Sequence, residues 1–158
     1  MQTDELILRL GDVDDLRRPG VGGLMVDHFC EVGRDSGCRN LDPHWERYEA
    51  LEDAERLVIW VVECDGDVVG YSLSLLCDHM HNRQQLQLVN DSLFVQQSMR
   101  NRGVGNLLMR ATEEAALEYG ADMIWHAPAH SRLDRILAGS KAYRPTITSY
   151  IKKAEDHG

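Results

Sequence analysis

The residue types that point to chemistry lie in "VQQSMRNRGVGNLL", Val95 to Leu108, where Gly103 and Gly105 flank Val104 at the mouth of a helical pattern, with Arg100 and Arg102 just upstream. The N–H groups in a helix's first turn have no internal partner and sit at the positive end of its dipole, so such a turn attracts an anion. Glycines remove the Cβ atoms that would hold a phosphate off the backbone, and the arginines can add charge-assisted donors. A phosphate or pyrophosphate fits this arrangement. It is neither of two common phosphate loops: a Walker loop requires GxxxxGK[ST], and no lysine follows these glycines, while a GxGxxG fingerprint fails at Leu108. Against the anion reading stands the simpler one, that a glycine pair at a strand-to-helix turn serves geometry alone.

Metal chemistry has weaker support. His28, Cys30, Cys38 and His44 could be imagined as a zinc set, but their spacing matches no usual ligand pattern. Cys30, Cys38, Cys64 and Cys77 include no CxxC pair, so reduced thiols are expected rather than a disulfide framework.

Positioning the glycine turn requires a strand before it and a helix after it. The helix is the clearest element: Val104, Leu107, Leu108, Ala111, Ala115 and Tyr119 make one apolar face, and Gly120 sits where a helix ends. Before it, "LQLVNDSLFV", Leu86 to Val95, reads as a strand whose middle, Asn90 to Ser92, is polar enough to predict a bulge. Further upstream, "LILRL" is a first strand ending in a GDVDD turn. Leu24, Met25, His28, Phe29 and Val32 recur at helical spacing, and Asp42-Pro43 opens a second helix. "RLVIWVVECDGDVVGYSLSLL" predicts a hairpin turning at Asp65-Gly66, with Tyr71, Leu73 and Leu75 on a buried face and Ser72 and Ser74 opposite. Downstream, "DMIWHAP" reads as a strand, "SRLDRILAGSKAY" as a short helix and "TITSYIKK" as a last strand. This order predicts an α/β or mixed α+β sheet protein, a single domain over residues 1–158.

Composition limits the partners. A formal charge of −9, from 17 basic and 26 acidic side chains, opposes binding to duplex nucleic acid and mildly favours cationic or neutral substrates. No apolar run approaches the roughly 18 residues of a membrane span, and MQTDELILRL lacks a basic segment followed by an apolar one, so a cytoplasmic protein without membrane contact is expected.

Together, Arg100-Asn101-Arg102-Gly103-Val104-Gly105 and the strand order resemble the GCN5-related N-acetyltransferases (GNAT), whose motif is Q/R-x-x-G-x-G/A between the fourth strand and the third helix. The likeness covers nearly the whole chain. It implies a mostly antiparallel central sheet, splayed between the fourth and fifth strands and flanked by about four helices. It also implies acetyl-CoA or another acyl-CoA as cofactor, with Arg100, Asn101, Arg102, Gly103, Val104, Gly105 and Asn106 at the pyrophosphate and Phe94, Val95 and Gln96 along the pantetheine arm. The implied reaction is acyl transfer to a primary amine of a small molecule or protein. "DHMH", "SLFV" and "WHA" are further similar to GNAT proteins of bacteriophage genomes.

An amine with pKa near ~10 needs a base before it can attack, and the leaving thiolate needs a proton. By the family pattern, the general acid is a Tyr in the last helix, but the corresponding position here is Ala138. The acidic base position falls near Ser92, beside Asp91. His126 is the first candidate base because its ordinary pKa lies near neutrality, with a structural histidine as the equal alternative. Asp91 is either a base or a carboxylate capping the bulge. His79 and His81 either border the acceptor or are solvated loop residues. Trp45 and Tyr48 line an acceptor pocket or pack as an aromatic pair. Tyr143 or Tyr150 stands in for the missing acid or fills the core. Two other readings remain open: a CoA- or partner-binding scaffold without efficient chemistry, prompted by Ala138, and acylation of a modified nucleobase, prompted by the phage likeness. Sheet-edge pairing makes a homodimer conceivable, although Lys152 and Lys153 are also what a protected edge carries.

Overall fold

The computed structural model describes residues 4–32 and 41–152; Cys38 and Lys153 therefore lie outside the described residues. Two compact units are present, one ending at His126 and one beginning at Ala127. In the first unit, β1 (Leu6–Gly11), α1 (Val13–Arg17), α2 (Pro19–Val32), α3 (Trp45–Asp53), β2 (Leu57–Cys64), β3 (Asp67–His79), β4 (Asn82–Val95), α4 (Val104–Glu118) and β5 (Ala121–Trp125) follow one another. The second contains α5 (Arg132–Ala138), N-capped by the Ser131 side chain.

The strands form one sheet in the order β1-β2-β3-β4-β5. The first three pairings are antiparallel, and β4–β5 is parallel. The mixed, mainly antiparallel sheet agrees with expectation. The β2–β3 hairpin turns at Asp65 and Gly66, with φ of 52° and 87°, the pair of positive values that a two-residue turn matching strand twist requires. One sheet face packs on α1 and α2 through Val13, Leu16, Val21, Leu24, Ile59, Tyr71 and Phe94. The other packs on α4 through Val104 and Leu108.

Several local expectations are corrected. GDVDD is more than a turn: Asp12 and Asp15 form a capping box that starts α1. The next long helix after α2 begins at Trp45 rather than at Pro43, because the Trp45 N–H turns back to the Pro43 carbonyl and His44 takes the N-cap. Ser72 and Ser74 do not face solvent; both are fully buried. Residues 146–152 form no strand, since the sheet's ladders end at β5 and supply the segment no partner. Cys30 is disulfide-bonded, whereas Cys64 and Cys77 are free. Irregular spacing argues against a framework of several bridges, not against one. Among the described residues, no helix is long and apolar enough to cross a membrane.

The start of α1 is locked electrostatically. Arg9 donates to both oxygens of buried Asp15, at 2.7 and 2.9 Å, and to Glu63 at 2.6 Å. The Arg9 bonds to Asp15, helped by the Asp12 N–H, hold its carboxyl pKa at about 2, below its ordinary 3.8. Its folded pKa is depressed, so the stabilisation is complete above the unfolded pKa and is lost as pH falls towards 2. The shift corresponds to roughly 2 kcal/mol. Urea unfolding between pH 5 and 2 is expected to show wild type losing about this much more stability than Asp15→Asn; parallel curves would contradict the assignment.

Candidate active site

The site is built around an irregularity in β4. Leu73 pairs with Ser92 and the next residue, Ser74, pairs with Asn90, so Asp91 is the extra residue of a bulge. An added residue reverses the alternation of faces. Asn90 therefore points towards α4, while beyond the bulge Phe94 joins the α2 side and Leu93 and Val95 the α4 side. Asp91 is exposed, and the Ser92 hydroxyl donates to it at 3.0 Å.

Asn90 holds the bulge from beneath. Its Nδ2 lies 3.1 Å from the Leu73 carbonyl and 3.2 Å from that of Ser92, the two residues that face each other across the register break. The Ser72 and Ser74 hydroxyls lie 3.1 Å from the same nitrogen, and Ser72 bonds to Thr112 of α4 at 2.9 Å. The buried serines are thus tolerated because they belong to a connected polar network.

Parallel pairing ends at Asn90 with Trp125, but β4 continues to Val95. The Gln96 N–H returns to the Val69 carbonyl of β3 at 2.8 Å. Alternation along the ladder then turns the backbone groups of Leu93 and Val95 the other way, to the side that β5 has left. This is the splay expected from the sequence. Of the residues expected along a pantetheine arm, Phe94 has a buried side chain, Gln96 has its N–H committed to β3, and the Val95 carbonyl accepts from Arg100 Nε at 3.0 Å. The backbone N–H of Val95 and the groups of Leu93 remain on the opened side.

A 3₁₀ turn over Gln97–Met99 leads into α4. Asn101 and Gly103 have φ of 65° and 86°, and Gly103 is the N-cap. The first α4 bond runs from the Leu107 N–H to the Gly103 carbonyl, so the N–H groups of Val104, Gly105 and Asn106 precede it. A Cβ at Gly103 would meet nothing within 4 Å, and one at Gly105 only Val95 Cγ2 at 3.7 Å. The mouth of α4 is open and rich in donors, which fits a pyrophosphate. The arginines are engaged elsewhere: Arg100 pairs with Glu31 at 2.6 Å and lies 5.3 Å from the Phe94 ring centre, and Arg102 pairs with Asp4 at 2.7 Å. Beside Arg100, a cleft of about 360 Å³ is lined by Asp27, Cys30, Glu31, Phe94, Gln97 and Arg100.

On the α2 side, His28 Nδ1 lies 2.8 Å from the Tyr71 hydroxyl, and its ring stacks on Phe94 at 4.8 Å. Burial lowers the pKa of His28 and raises that of Tyr71; Glu31 and Asp91 partly oppose the first shift, and Asp91 adds to the second. The Tyr48 hydroxyl is also raised, first by burial and then by the Asp91 charge. Trp45 and Tyr48 are half-buried with rings 5.7 Å apart, and both pack on the α2-side core. Asp91, Ser92, Tyr48, Tyr71 and His28 therefore share this side of the bulge. His126 is exposed one residue beyond β5, level with Asp91 by extension of the register. His79 and His81 lie at the far end of the β3–β4 hairpin, roughly 25 Å along the strand from Asn90. The structure does not bring them to the bulge. As a base or its partner, neither His28 nor Tyr71 is marked by the sequence: His28 enters there only as a weak zinc-ligand candidate and otherwise lies in an apolar helical stripe, and Tyr71 lies in an alternating strand, so both patterns read as core.

A parallel strand pair that opens at a bulge and feeds a glycine-capped helix defines an acetyltransferase-type α/β fold. The family model described as "Acetyltransferase (GNAT) family" matches residues 40–134, and the chain belongs to that family. Among solved structures, the chain is similar to an aminoglycoside acetyltransferase from an uncultured soil metagenomic sample, solved with trehalose. That comparison has a TM-score of 0.71 at 16% identity and covers 95% of this chain and 97% of the other. A ribosomal-protein-alanine N-acetyltransferase from Brucella melitensis biovar Abortus 2308 gives 0.69 at 16% identity, covering 95% and 99%. The aminoglycoside N-acetyltransferase AAC(6')-Iy, solved with CoA, gives 0.67 at 15% identity, covering 98% and 97%. No curated protein matches the sequence.

Proposed function

We propose that this protein is an acyl-CoA-dependent N-acyltransferase that moves an acetyl group to a primary amine of a small molecule or protein. The observation that carries this reading is the continuation of β4 past its last pairing with β5, leading through one 3₁₀ turn to the open, glycine-capped N-terminus of α4. The neighbours named for aminoglycoside and ribosomal-protein-alanine acetylation support an amine acceptor.

Acyl-CoA is a substrate in this reading and brings the activated thioester. The first-turn N–H groups of α4 would hold its pyrophosphate, and the opened backbone at Leu93 and Val95 would lie along its pantetheine arm. A backbone N–H there would also supply a donor to the negative oxygen that develops during attack. Asp91, fixed by Ser92, would hold the acceptor's ammonium on the α2 side, with Tyr48 and Trp45 as apolar wall.

Calorimetric titration with acetyl-CoA, followed by a thiol-release assay over aminoglycosides, amino sugars and peptide N-termini, tests the reading. Binding followed by release of CoA on at least one amine is the expected result. Binding without turnover on any amine would favour the scaffold reading, and no binding would overturn both.

A further inference from the structure

From the juxtaposition of His28 on α2, Tyr71 on β3 and the β4 bulge, we infer that His28 is the base that removes the acceptor's proton and that Tyr71 orients it. This inference rests on the N-acyltransferase reading and deepens it by assigning the proton transfer.

The geometry has the parts that a base requires. Its Nδ1 is held 2.8 Å from the Tyr71 oxygen, and Phe94 fixes the ring plane by stacking at 4.8 Å with an interplanar angle of 15°. The base form is the tautomer that donates Nδ1–H to Tyr71, in which the proton-free nitrogen is Nε2; that atom makes no hydrogen bond among the described residues. The residue is half-buried rather than sealed in the core. Phe94 lies within the stretch of β4 that has lost β5, placing His28 next to that stretch on the face that also carries Asp91.

The surroundings suit this task. The charged and titratable groups facing His28 are Glu31 from its own helix, Asp91 and Tyr71 from the sheet, and Arg100 from the loop. Burial keeps the imidazole neutral near pH 7, so Nε2 can accept a proton. The imidazolium then formed is favoured by the charges of Glu31 and Asp91 and opposed by that of Arg100; because Glu31 and Arg100 are paired with each other and largely offset, Asp91 is the carboxylate that supports it. Tyr71 remains a phenol because burial raises its pKa, so it orients rather than competes. His126 lacks a comparable partner: it is exposed and no described hydrogen bond fixes its ring.

The step balances as follows. An ammonium R–NH₃⁺ gives one proton to His28 Nε2, and the freed lone pair forms the C–N bond at the thioester carbonyl. As the C–S bond breaks, its electron pair leaves on sulfur, the amide nitrogen's surplus proton neutralises that thiolate, and His28 releases its proton to water. The products are an amide, a free thiol and one proton.

The test is the pH dependence of kcat with acetyl-CoA and the amine that turns over fastest. In wild type, kcat is expected to fall on acidification below pH 6.5, because the folded pKa of His28 is depressed and the base is lost only when it protonates. His28→Gln should lower kcat at neutral pH by about 100-fold or more and remove this acid limb, with acetyl-CoA affinity retained. Tyr71→Phe removes the acceptor of the Nδ1–H bond, destabilises the imidazolium and should move the limb to lower pH. The limb should persist in His126→Gln, whatever the rate. Its persistence in His28→Gln, or its loss in His126→Gln instead, would overturn the proposal. Nitrogen NMR of the substrate-free protein gives a readout independent of turnover: the Nδ1–H tautomer of His28 is expected, and an Nε2–H tautomer would overturn the assignment even if no amine were acetylated. Failure of acetyl-CoA to bind wild type would instead strike at the underlying reading.

Discussion

Gly105→Asp is expected to weaken acetyl-CoA binding by at least about 100-fold, or ~2.7 kcal/mol, while leaving the fold as stable as before. Position 105 lies in the first turn of α4, and a Cβ there meets only Val95 Cγ2 at an ordinary 3.7 Å. The new carboxylate would satisfy first-turn donors and the helix dipole, a gain of about 0.3–1 kcal/mol. The same charge would stand at the proposed pyrophosphate site. Two like charges about 4 Å apart repel by ~4 kcal/mol near a protein surface, so the expected loss survives considerable screening. Calorimetry with acetyl-CoA beside urea unfolding reads both quantities. Gly105→Asn separates charge from bulk and should lose much less affinity. Unchanged binding in Gly105→Asp would mean that the mouth of α4 holds no anion and that its glycines only shape the turn.

This separation of binding from stability explains why the glycine turn before α4 was legible in the sequence. Gly103 and Gly105 leave a local signature because backbone conformation and close approach are local demands. The Asp65-Gly66 hairpin and the Asn90-Asp91-Ser92 break were legible for the same reason, since two positive φ values and an unpaired residue call for particular residue types. Residues whose role comes from distant partners left no such mark. Ser72 and Ser74 alternate with apolar residues as a solvent face would, yet both lie under α4, Ser72 bonded to Thr112 and each hydroxyl 3.1 Å from the Asn90 amide nitrogen. His28 follows the apolar rhythm of its helix and acquires a chemical partner only when β3 brings Tyr71 beneath it. The last expected strand failed on similar grounds. "TITSYIKK" has the residue types of a strand, but strand formation depends on a neighbour that residue types cannot supply.

Asn90→Leu is expected to destabilise the protein by about 3 kcal/mol and to lower kcat/KM beyond what the stability loss explains. Asn90 is 1% exposed, and its amide is the side-chain donor to the Leu73 and Ser92 carbonyls. Leucine has a similar volume but cannot donate, so both carbonyls lose this partner, and an unpaired buried polar group costs ~1–3 kcal/mol. Partial recovery comes from burying more apolar surface. The catalytic loss has a different origin. Without the clamp, β4 is no longer tied to the register that leaves Asp91 unopposed, and Asp91, Ser92 and the opened backbone of Leu93 lose their common position. Thr112→Val is the control, because it breaks the bonds to Ser72 and the Leu108 carbonyl in the same network without touching the bulge. It should cost about 1 kcal/mol and leave kcat/KM nearly unchanged when measured far below the unfolding transition. If Asn90→Leu also left kcat/KM unchanged under those conditions, the backbone bonds of the β3–β4 ladder would suffice to set the bulge, and Asn90 would contribute to stability alone.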